Sequence, residues 1–334
     1  MDARPAMIPA ADAPRLRSAL TATRPAAYAA LLVAAAVAAL IYALRTDGVF
    51  ACPAGGYSSD RYLAYCNALH YGEYEHGALW FEDLDPEARR FAAGAAVLFL
   101  GNSRMQYAFS TRSTEAWFAQ QQTPYVLLGF SYYENGVFAQ SLLDRLKPKP
   151  RMVVINVDRF FEAWESEPAK ALLHGKASRT DYAAKRRWQE VHRGLCAALP
   201  ALCGDHYAMY RSRRNGSWEM VGTGPFRARP VTEGPAADKE RWPDFVEFAR
   251  QFVDRLPVSR DCVLFTLVPT VDTRRDEAAH IAAALGIDLI APQVDALRTF
   301  DGSHLDAASA ERWSQVFFRD AGSRLGECLR PREG

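Results

Sequence analysis

Ala96-Val97-Leu98-Phe99-Leu100-Gly101-Asn102-Ser103-Arg104 is the stretch that decides the fold. Four consecutive apolar residues closed by a glycine have the length and flanks of a strand buried on both faces, which is how strands of parallel sheets read. The same signature recurs downstream. Tyr125–Leu128 is closed by Gly129, and Met152–Val157, Val263–Val268 and Ile287–Ile290 complete a set of five. Helical patterns fall between them, near Thr114–Gln121, at 136–146, at 274–285 and from about Ala307 to Leu325. Alternation of this kind predicts an α/β/α domain of three layers around a mostly parallel five-stranded sheet. In such sheets ligands sit at the carboxyl ends of the strands.

Working outward, the alternation breaks between about 162 and 245. The interruption carries Lys185, Arg186, Arg187, Arg211, Arg213 and Arg214, with Trp188, Tyr207, Tyr210 and Trp218 among them. It reads either as a solvated, partly helical insertion or as a cap whose aromatic faces suit sugar rings. In the cap reading Trp188 and Trp218 contact substrate, and Arg211, Arg213 and Arg214 pair with uronic or phosphate groups. Residues 45–94 read as an irregular lead-in rich in aromatics and acids, Tyr71, Tyr74, Trp80 and Phe81 among them.

Upstream of the lead-in, twenty residues from Pro25 to Leu44 carry no charge. As a helix they reach about 30 Å, the thickness of a bilayer's hydrocarbon core. A cleaved signal peptide is the competing reading, because Val49-Phe50-Ala51 before Cys52 loosely resembles a cleavage or lipidation site. The length of the run, and Arg45 and Asp47 between it and the supposed cut, favour an uncleaved anchor. Arg4, Arg15, Arg17 and Arg24 precede it and orient residues 1–24 to the cytoplasm. The expectation is a single-pass protein of the inner membrane with residues 45–334 in the periplasm.

All six cysteines follow the anchor, as an oxidising compartment would favour. Six allow fifteen pairings. Short loops favour Cys52 with Cys66 and Cys196 with Cys203, leaving Cys262 to Cys328. His192, Cys196, Cys203 and His206 also form a compact Cys2His2 set, but the gap between its cysteines is longer than zinc fingers use. The expectation is disulfides and no metal. A net charge of +1 gives no basic excess for nucleic acid.

Two short blocks carry the chemistry. Ser103 follows a strand directly, so its Oγ is held at the sheet's carboxyl edge and its own N–H can stabilise an oxyanion. Asp301-Gly302-Ser303-His304-Leu305 precedes the last helix. Its three-residue spacing lets the Asp carboxylate orient one imidazole nitrogen and leaves the other free as a general base. His70, His76, His174 and His280 have no such partners and read as lead-in or surface residues. Asp295 and Asp306 flank the last block without a required role.

In this order, the blocks resemble those of the SGNH (GDSL-like) hydrolase superfamily over roughly residues 95–326. Gly101-Asn102-Ser103-Arg104 corresponds to the first block, with Asn102 in place of the frequent Asp. Asp301-Gly302-Ser303-His304 matches the last. The resemblance implies a catalytic triad of Ser103, Asp301 and His304 and an oxyanion hole of the Ser103 and Gly129 amides plus a third-block Asn. The third block departs from the pattern. Asn156-Val157-Asp158-Arg159 puts Asp158 at the Asn position, and Asn156 substitutes only if the register shifts by one pleat. Membrane-anchored members with the Gly-x-Ser-Arg and Asp-Gly-x-His-Leu variants, here Gly101–Arg104 and Asp301–Leu305, resemble polysaccharide O-acetyltransferases. That likeness implies acyl transfer to a polysaccharide, no bound cofactor, an unidentified acetyl donor, and a multi-pass acyltransferase or polysaccharide-export partner. A carbohydrate esterase and a non-catalytic, glycan-binding scaffold are the alternatives. The anchor generates the first test: a phosphatase reporter fused after Gly334 is expected to be active, and a stable but inactive fusion reverses the orientation.

Overall fold

The computed structural model describes residues 25–46, 48, 50–66, 73–234 and 239–330. The expected cytoplasmic tail, His70 and Tyr71 lie outside the described residues. In chain order the helices and strands are α1 (Pro25–Thr46), β1 (Arg61–Cys66), α2 (Glu75–Trp80), α3 (Pro86–Gly94), β2 (Val97–Asn102), α4 (Ser103–Phe109), α5 (Arg112–Gln120), β3 (Tyr125–Phe130), α6 (Gly136–Leu146), β4 (Met152–Asn156), α7 (Glu167–Leu173) and α8 (Arg179–Ala198). They continue with β5 (Ala208–Ser212), β6 (Trp218–Val221), β7 (Arg229–Pro230), α9 (Trp242–Asp254), β8 (Val263–Thr266), α10 (Arg275–Leu285), β9 (Leu289–Ile290), β10 (Arg298–Thr299) and α11 (Ala307–Leu329).

Five strands make one parallel sheet in the order β3-β2-β4-β8-β9. Because strand side chains alternate, Leu98, Leu100, Val153 and Ile155 enter one apolar cluster, with residues of α3, α6, α9 and α10. Val97, Phe99, Met152 and Val154 enter another, with α4, α5 and α11. The strands are apolar at nearly every position for this reason. All five sequence-derived strands are present, the last three shortened at one end.

The lead-in is not irregular. Its β1 pairs antiparallel with β5, and β5 with β6, so the lead-in and the insertion build a second, three-stranded sheet together. Sequence pattern misses this because β1 and β5 are far apart in the chain, and nothing local records such a pairing.

The second sheet closes the open edge of the first. β3 is an edge strand, and its outward amides and carbonyls need partners if they are buried. Leu127 donates its N–H to Asn215 O (2.9 Å), and Gly129 donates to Gln106 Oε1 (3.0 Å). The Arg211 guanidinium donates to the carbonyls of Leu127 (2.6 Å) and Gly129 (3.0 Å). Ser131 N–H, just past the strand, goes to Glu75 Oε1 (3.1 Å). Glu75 Oε2 also pairs with Arg211 at 2.9 Å, both side chains 1% exposed. Gly216 sits at the hairpin tip with φ +73°, and a Cβ there would lie 2.3 Å from Leu127 O. Only glycine lets the hairpin come this close.

α1 is long and apolar enough to cross a membrane, with none of its 22 residues buried in the fold. The cysteines pair as Cys52–Cys66, Cys196–Cys203 and Cys262–Cys328. The last joins the start of β8 to the end of α11 across 66 residues. A closed loop of that length restricts the unfolded chain by about 4 kcal/mol. The Cys262→Ala/Cys328→Ala pair is therefore expected to lower unfolding free energy by about that amount in denaturant titration. No change in midpoint would refute the link.

Candidate active site

Ser103 opens α4 directly from the carboxyl end of β2, and Asn102 is the helix cap, its Oδ1 accepting from Arg104 N–H at 3.0 Å. From the other end of the chain, the loop between β10 and α11 brings His304 to Ser103. His304 Nε2 lies 2.8 Å from Ser103 Oγ, and His304 Nδ1 lies 2.7 Å from Asp301 Oδ2. Asp301 Oδ1 accepts the backbone N–H groups of Ser303 and His304, each at 2.8 Å. Burial works to raise the Asp301 carboxyl, but the hydrogen bonds from His304 and Ser303 outweigh it and hold it below the usual carboxylate range. Whatever stability this contributes is complete above the ordinary Asp range and is lost as pH falls through the lower, folded-state value. Near neutral pH the carboxylate is ionised and fixes which imidazole nitrogen carries the proton.

Gly302 makes the loop possible. Its φ is +90°, a conformation L side chains rarely adopt, and its N–H is donated to Thr299 Oγ1 at 3.1 Å. Phe300 stacks on the His304 ring at 5.6 Å between centroids, and Tyr107, one helical turn past Ser103, packs at 4.7 Å.

Both loops are tied to one side chain. Arg104 donates to both carboxylate oxygens of Asp158 (3.0 and 2.9 Å), to Ser303 Oγ (3.0 Å) and to Asp272 Oδ1 (3.3 Å). Burial depresses the guanidinium's pKa, and the Asp158 and Asp272 carboxylates raise it by more. Asn102 Nδ2 donates to Asp158 O (3.1 Å) and Oδ2 (3.2 Å). This explains the residue in the first block: a carboxylate at 102 would face that of Asp158, whereas an amide donates to it.

The third-block residues therefore do not serve as oxyanion donors. Asp158 is locked to Arg104, 3% exposed. Asn156 is wholly buried, its Oδ1 accepting Val268 N–H at 2.9 Å, and its Nδ2 has no partner in the described residues. Gly129 is corrected likewise, because it lies inside β3 and its N–H is taken by Gln106.

A cavity of about 330 Å³ opens beside Ser103, Asp301 and His304. Tyr65, Tyr107, Tyr132, Tyr133, Tyr207, Met209, Trp218 and Phe226 dominate its wall. Of the residues read as substrate contacts, only Trp218 is there. Trp188 stacks on His192 at 4.8 Å, away from the cavity. Arg211 is buried in the sheet edge. Arg213 pairs with Asp85 (Nε to both oxygens, 3.1 and 3.0 Å) and borders a separate polar cleft. Arg214 is exposed and lines neither space. Tyr207, named in the sequence among the insertion's aromatics, is in the wall too, whereas the role of Arg104 and the wall's Tyr65, Tyr107, Tyr132 and Tyr133 were passed over. Tyr107 was open to sequence reading, since position i+4 from a helical Ser103 shares its face.

His192, Cys196 and Cys203 offer ligand atoms within 4.8 Å of one another, and His206 is not in that group. The two cysteines are joined, and His192 spends Nδ1 on Tyr57 OH (3.2 Å) and Nε2 on Cys52 O (3.0 Å). His76 is not a surface residue; it is buried against Glu134 at 2.9 Å. His174 pairs with Glu165 and His280 packs on Trp242. Asp306 caps α11.

No protein-family model, no curated protein and no solved structure matches the chain. The Arg104 network yields a test. Arg104→Met leaves Asp158 buried without its counter-ion and is expected to destabilise by about 3–5 kcal/mol. Arg104→Met/Asp158→Leu should regain most of that stability while Ser103 stays poorly reactive, because Ser303 remains untethered. A double variant as reactive as the parent would refute the tethering role.

Proposed function

We propose that this chain is a membrane-anchored serine acyltransferase of the SGNH (GDSL-like) kind, moving O-acetyl groups onto a polysaccharide outside the cytoplasm. The observation that carries the reading is the continuous hydrogen-bonded chain from Ser103 Oγ through the His304 ring to Asp301. The sheet order supports it as well: taking the five strands in sequence, the order is 2-1-3-4-5, that of flavodoxin-like α/β/α folds, whose ligands bind where the order reverses, between the first and third strands. Ser103 follows the first of these strands and Asp158 the third.

Ser103 Oγ attacks the donor's acyl carbon as His304 Nε2 takes its proton, and that proton leaves with the departing alcohol or thiol. An acceptor hydroxyl then gives its proton to Nε2, attacks the acyl-enzyme and releases Ser103. Asp301 orients the ring and stabilises its charged form. With the third-block side chains engaged elsewhere, the oxyanion falls to main-chain amides. Ser103 supplies one. Tyr132 and Tyr133 supply the rest: they border the cavity at φ +61° and +55°, and neither amide has an acceptor among the described residues. Such left-handed, non-glycine backbone is costly and is kept where structure over-determines it.

A single span cannot carry acetyl groups across the membrane, so transfer calls for a multi-pass acyltransferase or export partner, with the inner membrane and periplasm as the setting. The donor is unidentified and no bound cofactor is needed. A serine-directed fluorophosphonate is expected to label the wild type at Ser103. Ser103→Ala should abolish labelling, and His304→Ala should slow it by about 10³-fold or more. A folded wild-type protein that stays unlabelled overturns the enzyme reading in favour of a glycan-binding scaffold. Labelling with fast donor turnover in buffer, unchanged by any added glycan, selects the esterase.

A further inference from the structure

The cavity beside Ser103 also defines a substrate class, an inference that rests on the acyl-transfer reading and sharpens it. The wall of about 330 Å³ carries no lysine or arginine. Its carboxylate, Asp301, is committed to His304. Three neighbouring cations are spent elsewhere, Arg104 on Asp158 and Asp272, Arg211 on Glu75 and Arg213 on Asp85, and Arg229, packed against Gly302, stands outside the wall. A uronic or phosphate group entering this space would lose its water and find no counter-charge in the wall itself, a heavy penalty.

What the wall offers is aromatic surface and neutral donors. Tyr107, Tyr207 and Phe226 present ring area, and burial raises the Tyr207 phenol further above the neutral range, with Asp301 adding to it. Trp218 is 6% exposed, packs edge-on against Tyr107 at 5.3 Å, and keeps an Nε1–H that has no partner within the described residues. The Nε1–H is buried beside the cavity, and leaving such a donor unsatisfied costs about 1–3 kcal/mol, which a ligand oxygen that reaches it recovers. Sugar rings offer apolar C–H faces to aromatic surface and oxygens to such a donor. The volume is at the small end for ligand sites, room for one ring and its ester.

We propose that the cavity takes an uncharged, O-acylated sugar residue and rejects uronic and phosphorylated ones, with Trp218 as the specificity-determining side chain through its Nε1–H. Specificity then belongs to the second sheet and its loops, which supply Tyr65, Tyr207, Trp218 and Phe226, while the triad belongs to the parallel sheet. Trp218→Phe removes the N–H with part of the indole ring and keeps an aromatic ring against Tyr107, and since Nε1 has no partner among the described residues no internal hydrogen bond is lost.

The test uses the full chain in nanodiscs, with Ser103→Ala preventing turnover. Methyl 3-O-acetylglucoside and methyl 3-O-acetylglucuronide are titrated by calorimetry. The glucoside is expected to bind at least about tenfold tighter, with little change as salt is raised past screening of exposed charges. Trp218→Phe in the same background should weaken it by about fivefold to tenfold. Equal or tighter binding of the glucuronide, no binding of either sugar, or binding unaffected by Trp218→Phe overturns the proposal. Faster wild-type turnover of p-nitrophenyl octanoate than of the acetate also overturns it, assigning the aromatic wall to an acyl chain. Fluorophosphonate labelling of the wild type reads the underlying reaction separately. A labelled protein preferring the glucuronide loses only the specificity proposal, whereas an unlabelled protein preferring the glucoside keeps the sugar site and loses acyl transfer.

Discussion

The Arg104 guanidinium, buried beside Ser103, is the constraint on which the site depends. It sits one residue after Ser103 and reaches three other loops: Asp158 after the third strand of the parallel sheet, Asp272 after the fourth, and Ser303 beside His304. These segments are separated by up to 199 residues of chain. A planar group with five donors can hold them in one geometry, which a lysine cannot. The cost of burying the charge is offset by two carboxylates and by Asn102, which turns an amide rather than an acid toward Asp158. Hence Asn102 and Asp158 answer one constraint, the buried Arg104 charge, with an acid to pair with it and an amide to donate to that acid.

The same logic governs the edge of the sheet. β3 would expose a row of unpaired peptide groups, and Arg211 of the second sheet closes it, held by Glu75 of α2. Arg211 and Arg213, which resemble a binding surface in sequence, are thereby consumed by scaffolding. Apart from Asp301, what remains around Ser103 is aromatic and uncharged, so the insertion touches the site through Tyr207, Met209, Trp218 and Phe226 instead of through its arginines. The insertion is joined to the loop of Asp301 and His304 as well. β7 pairs with β10, and Phe226 rests on Phe300, which stacks on His304. A shift in the insertion would reach His304 through these contacts.

The sequence by itself determined the five buried strands, the helices at 114–121, 136–146, 274–285 and 307–325, the apolar N-terminal helix, the short loops that favour Cys52–Cys66 and Cys196–Cys203, and the two blocks that meet as Ser103, His304 and Asp301. Each rests on local information: an apolar run closed by glycine, a 3.6-residue period, a short cysteine loop, a three-residue Asp-to-His spacing. Only the tertiary structure decided the rest. Whether Arg211 binds substrate or rivets an edge strand, whether Gly129 offers its N–H to an oxyanion or to Gln106, and whether Asp158 repels an oxyanion or neutralises Arg104 turn on partners between 23 and 136 residues away. The second sheet was illegible for the same reason, since β1 and β5 meet across more than a hundred residues. A charged side chain reads identically in sequence whether it faces water or a buried counter-ion, and desolvation, which separates the two, is a property of the assembled fold.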